Sequence, residues 1–183
     1  MVPQNTPAGG AGGAAEVAGA EIVAHVQTRG DVTATLGSWM GITGSKHWIE
    51  GFSLSPRALV GTGDIEYQAV LGRGWLSPWA EGGQFCGSRG MSLPILGLRV
   101  RLKGEAAERY ECVLTASFVD GTKIGPLDNG EPAQAESLAP LEAFLIELKP
   151  HAPTAAKKPA AKAAAKPAPA PAKPAAKGTA KRK

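Results

Sequence analysis

The chain has 183 residues, 43% of them hydrophobic and 5% aromatic, with a formal net charge of +4, a length that holds one domain plus tails. The charge is divided: residues 155–183 carry nine basic and no acidic side chains, which leaves residues 1–154 with 11 Lys and Arg against 16 Asp and Glu, about −5. A domain of that sign binds phosphate backbones poorly by itself, and two cysteines, Cys86 and Cys112, outside any CxxC or His/Cys cluster exclude a disulfide framework and a zinc pattern.

Residues 1–20 are rich in Gly, Ala and Pro and read as a flexible segment. They lack the basic and apolar regions of a secretory signal. No run approaches the roughly 20 apolar residues of a membrane span. The expected setting is cytoplasmic, with leaderless export as the alternative. Residues 21–150 hold short alternating runs, "IVAHV", "IEYQAV", "LGLRVRL", "RYECVLTASF" and "AFLIEL", separated by turn signals such as Asp120-Gly121 and Asn129-Gly130. That is the pattern of many short strands, and so of an all-β domain. Cys86 and Cys112 are expected there as buried thiols. Residues 151–183 form a Lys/Ala/Pro tract whose prolines at 159, 167, 169 and 174 prevent a long helix. Like charges and the lack of core-forming residues predict a disordered tail.

The domain repeats itself. "YQAV" at 67–70 lies over "YECV" at 110–113, and Trp75 then falls on Phe118. "LPILGLRVRL" at 93–102 lies over "APLEAFLIEL" at 139–148, and "WIEGFSL" at 48–54 is the earlier counterpart. Three copies of about 40 residues result, at 21–57, 64–104 and 107–149. One such unit cannot bury both faces of its small sheet, whereas three around an axis bury their inner faces against one another. The closing strand of copy two alternates, placing Leu98, Val100 and Leu102 inward and Arg99 and Arg101 outward. Copy three places Phe144, Ile146 and Leu148 on one face and Glu147 on the other. The expected architecture is a three-fold pseudo-symmetric β-prism-like domain, with a β-trefoil as the alternative.

These residues resemble the clostridial hydrophobic repeat with conserved tryptophan, the ChW repeat. "AHVQTRG" at 24–30 is similar to the family's opening, and "YQAVLGRGWLSPWAEGG" at 67–83 to its G-W-x-x-x-W core with one residue added. "WIEGFSL" and "PLEAFLI" carry the Glu–small–apolar closing strand, with Glu50 and Glu142. Copy one has Asp31-Val32 where the first tryptophan belongs, copy three has Phe118-Val119 and no second tryptophan, and copy two has Leu96 in place of the glutamate. The resemblance implies a surface or secreted setting and interaction with macromolecules, carbohydrate or protein.

Chemistry points the same way. No G-x-S-x-G, P-loop or Gly-rich loop opening a helix occurs. His25 and His47 lack HxH or HxxxH spacing, and His25 reads as a strand histidine with its ring satisfied. The expectation is a non-enzyme without cofactor or metal. Exposed tryptophan faces stack on sugars and supply contact area for protein partners, so the candidate ligand residues are Trp79, Glu81, Trp39 and Trp75. Trp75, matched by Phe118, is expected in the core. Trp79 follows Pro78 in a turn, has no counterpart in copy three, and leads the set. Lys157, Lys158, Lys162, Lys166, Lys173, Lys177, Lys181, Arg182 and Lys183 are the candidate polyanion contacts, neutralising phosphates without reading bases. The reading is a lectin-like carbohydrate- or protein-binding module whose tail adds electrostatic affinity for a polyanion such as DNA or RNA. A nucleoid-associated, sequence-nonspecific nucleic-acid binder and a structural or oligomerisation module are the alternatives.

Overall fold

A computed structural model describes residues 20–151; the expectations for the N-terminal segment and for the basic tail lie outside the described residues. Copy one contributes β1 (Ile22–Val26), β2 (Gly30–Ala34), β3 (Trp39–Gly41) and β4 (Ile49–Leu54). Copy two contributes β5 (Ile65–Leu71), β6 (Trp75–Leu76), β7 (Ala80–Glu81), β8 (Cys86–Gly87) and β9 (Gly97–Leu102). A short helix, α1 (Gly104–Arg109), leads into copy three: β10 (Tyr110–Phe118), β11 (Lys123–Leu127), β12 (Pro132–Gln134) and β13 (Leu141–Pro150). The domain is all-β, and every strand pair is antiparallel.

Each copy builds a sheet on its first and last long strands, β1 with β4, β5 with β9 and β10 with β13. Each sheet is then completed by a strand from another copy. β8 of copy two pairs with β4, β12 of copy three with β9, and β3 of copy one with β13. The donation is cyclic and closes on itself. Backbone bonds repeat the cycle at the start of the closing strands: Ile95 N–H donates to Ile49 O at 2.9 Å, and Leu141 N–H to Ile95 O at 2.9 Å.

The alternating runs do what their period requires. In β1, Ile22, Ala24 and Val26 are buried while Val23 and His25 are only partly so. Leu98, Val100 and Leu102 point into the core and Arg99 and Arg101 away from it; Phe144 and Ile146 are buried likewise. The three inner faces share one core, with Phe52 of β4 touching Tyr67 of β5 (ring centroids 5.2 Å apart) and Phe144 of β13 (5.4 Å). Each such ring contributes about 1.5–3 kcal/mol by leaving water. Cys86 and Cys112 are both buried thiols.

Two expectations are corrected. Tyr67 pairs with Val100, and Leu114 pairs with Ile146 at the equivalent place, so Tyr67 is the counterpart of Leu114 rather than of Tyr110. The same frame puts Leu71, not Trp75, over Phe118. A four-residue slip keeps every side chain on its own face, so the period-two pattern could not detect it. Trp75 lies in β6 beyond the hairpin and is 73% exposed, whereas Phe118 is fully buried. Trp75 is therefore not a core residue.

Glycine marks where donated strands cross. A Cβ on Gly97 would sit 2.0 Å from Ala133 O of β12, and one on Gly51 would sit 2.6 Å from the Phe85 ring and 2.8 Å from Cys86 O. These two glycines occupy the same position in copies two and one, and Ala143 fills it in copy three.

Candidate functional site

Copy two differs from the others between its hairpin and its donated strand. The chain leaves β6 at Ser77-Pro78, turns through Trp79 into β7, and returns through Gln84-Phe85 to β8. Ser77 anchors this excursion: its Oγ accepts from Ala69 N–H at 3.0 Å and lies 2.8 Å from Pro78 O as donor, with Cys86 Sγ at 3.1 Å. Tyr67 anchors it from below, its hydroxyl donating to Gln84 O and accepting from Leu54 N–H at 3.1 Å. Between this excursion and the loop before β9 lies a groove of about 700 Å³. Trp79, Phe85, Pro78, Pro94, Leu93 and Leu96 give it an apolar lining, and Glu50 of β4 also lines it.

Both aromatic rings carry a guanidinium. Arg101 lies 3.9 Å from the Trp79 ring centroid and Arg89 4.0 Å from that of Phe85, contacts in which the ring quadrupole attracts the cation. Each cation also has a carboxylate: Arg101 pairs with Glu66, and Arg89 with Asp31 at 3.3 Å. Lys103 bridges Glu66 at 3.0 Å and Glu81 at 3.3 Å. Burial pushes the Glu66 carboxyl up, but Lys103 and Arg101 outweigh it and hold the group below its usual range.

The closing-strand glutamates act as loop clamps. Glu142 takes Gly44 N–H at 2.7 Å and Lys46 N–H at 2.5 Å, one on each oxygen, so the last copy fixes the loop after β3 of the first. Glu50 does the same for the loop after β8, but with one oxygen only: Met91 N–H donates to Oε2 at 3.0 Å. Leu96 holds the third equivalent position and lines the groove.

Of the four candidate ligand residues, the structure brings Trp79 into the groove. Trp75 pairs across its hairpin with Leu71, which lines the groove. Glu81 is bound to Lys103 on the outer face of the β5–β9 sheet, and Trp39 sits on β3 against Leu145, 41% exposed and away from the groove. The sequence does not single out Phe85, Leu93 or Pro94, and it marks Glu50 as a closing-strand residue rather than as a ligand group. His25 is satisfied as expected, its Nδ1 lying 2.6 Å from Asp31 Oδ1. Among the described residues no group of three or more His, Cys, Asp or Glu is placed to hold a metal ion, and no helix is long and apolar enough to cross a membrane.

Three copies with cyclic strand donation and an apolar groove on the second define a repeat-built all-β domain. Residues 70–104 match the family model described as ChW, Clostridial hydrophobic W, which shows the resemblance over copy two. Apart from Glu50, all residues lining the groove fall within that match. No curated protein and no solved structure matches the chain.

Proposed function

We propose that the domain is a non-enzymatic binding module of carbohydrate- or protein-binding type, and that the groove between Trp79 and Phe85 is its contact site. The observation that carries this is the groove itself: its size lies in the range of ligand pockets, and aromatic and proline side chains form its walls. Protein is favoured over carbohydrate. Ser77 Oγ, Gln84 Oε1 and Ser88 Oγ are already engaged with Ala69, Glu81 and Leu93, which leaves the lining few polar side-chain atoms, Glu50 Oε1 among them, to meet a ligand. A sugar brings many hydroxyls and needs free partners for them. Trp75, Leu76 and Met91, at 73%, 44% and 65% exposure, offer further apolar contact around copy two. The cyclic strand donation supports a prism-like reading over the trefoil.

The nine cations of residues 155–183 support a second contact, with a polyanion, adding avidity to the groove. Glycan and peptide arrays probed with the full chain and with Trp79→Ala and Phe85→Ala test the reading. A ligand held by the native chain and weakened at least tenfold by either substitution is expected. Binding untouched by both substitutions moves the function off the groove. A steep salt dependence that disappears on removing residues 152–183 assigns the polyanion contact to the tail.

A further inference from the structure

The groove's one acidic group is a feature the binding reading leaves unused. Glu50 is 2% exposed and lines the groove, yet only its Oε2 is engaged, by Met91 N–H. Its Oε1 receives no hydrogen bond and its carboxylate no ion pair from the described residues. The equivalent Glu142 has both oxygens taken by backbone N–H groups, so the clamp can use the whole carboxylate and in copy one does not. The equivalent Leu96 shows that the same strand position also accepts an apolar side chain. Of the three guanidiniums over the groove's rings, Arg101 and Arg89 already have their own carboxylates, Glu66 and Asp31, and Arg99 donates to Gly130 O. Glu50 is thus a buried acid without a counter-charge at the wall of an apolar cleft, and such a group gains most from an incoming cation.

We propose, resting on the groove as the binding site, that it takes the side chain of a lysine presented by a partner peptide. The four-carbon stem packs along Trp79, Phe85, Leu93 and Leu96, and the terminal ammonium donates to Glu50 Oε1. A lysine needs one polar partner at the end of an apolar path, and that is what the lining supplies. An amino sugar also carries an ammonium, but its ring hydroxyls would face Leu71, Leu93 and Pro94.

The test titrates three probes into the ¹⁵N-labelled full chain: acetyl-Ala-Lys-Ala-amide, its norleucine counterpart, which keeps the stem and lacks the ammonium, and a glucosamine oligomer. The lysyl probe is expected to shift groove amides, Gly72, Gly87 and Ser88 among them, at a concentration at least tenfold lower than the norleucine probe. The preference is expected to vanish in Glu50→Gln, whose amide oxygen still accepts from Met91 N–H and keeps the loop in place. Equal affinity for the two probes, or a lysine preference that survives Glu50→Gln, overturns the ammonium assignment and leaves the groove standing. Groove amides moved by neither peptide nor by a glucosamine oligomer overturn both the assignment and the groove. Groove shifts produced by a glucosamine oligomer but not by the lysyl probe overturn the peptide reading in favour of a sugar.

Discussion

Tyr67 ties two copies together with a single oxygen. Its hydroxyl accepts from Leu54 N–H of copy one and donates to Gln84 O of copy two, and its ring packs on Phe52 in the shared core. Tyr67→Phe keeps the ring and leaves both backbone groups without a partner, at a cost of about 1–3 kcal/mol for buried polar groups. A urea titration is expected to show that loss. Trp75→Ala, at a side chain 73% exposed, is expected to change stability by no more than about 0.5 kcal/mol in the same titration. Cys112 gives a pH dependence. Burial pushes its thiol up to about 12 from the ordinary thiol value of 9.0. Below pH 9 the thiol is protonated in both folded and unfolded chains and its contribution is fully present. As pH rises from 9 toward 12 the unfolded chain loses the proton first, and stability falls. Cys112→Ala is expected to flatten that alkaline slope. At this scale the sequence revealed hydrophobicity but not exposure. Trp75 and Phe118 are both large aromatics, and only the register of the hairpin separates a surface ring from a core ring.

At the level of the strand, the long closing elements were legible and the donated ones were not. β9 and β13 are six and ten residues long, and the alternation of apolar and other side chains within them, clearest at 98–102, is enough for a period-two pattern to declare both the strand and its inner face. β3, β8 and β12 span three, two and three residues, too short for any period to show. Their trace in the sequence is indirect, in the small residues they cross. Gly97→Ala puts a methyl group against Ala133 O and tests this. The expected loss is at least about 1–3 kcal/mol, the range of overpacked cores, read as a lowered midpoint of thermal unfolding. Full stability with the alanine would mean that β12 yields at the crossing without cost. The groove was half legible for a related reason. Trp79 stood out by composition, whereas Phe85 and Glu50 reach the same cleft from different copies, and only the β4–β8 pairing unites them.

For the molecule as a whole, cyclic donation separates this domain from open repeat arrays. In an array each unit leans on its neighbours, and end units can be removed with a graded loss. Here β3 completes the sheet of the last copy, β8 that of the first and β12 that of the second. A chain ending after Gly104 is expected to lack the sheet that receives β3 and the strand that completes the second sheet. It should show no dispersed amide spectrum, and two folded copies surviving alone would refute cyclic dependence. Calorimetry of the full chain should give one transition for residues 20–151, with equal calorimetric and van't Hoff enthalpies.

The closing pair of that cycle also bears on when the domain becomes complete. β3 is translated early, but its partner Ala143–Leu145 follows about a hundred residues later. Until then the first copy carries an unpaired strand edge and the exposed Met40 and Trp39, the kind of surface that draws a nascent chain into aggregation. Completion of the domain is expected as one late event, set by arrival of the strand that pairs with β3, and chaperone dependence should centre on that interval of synthesis.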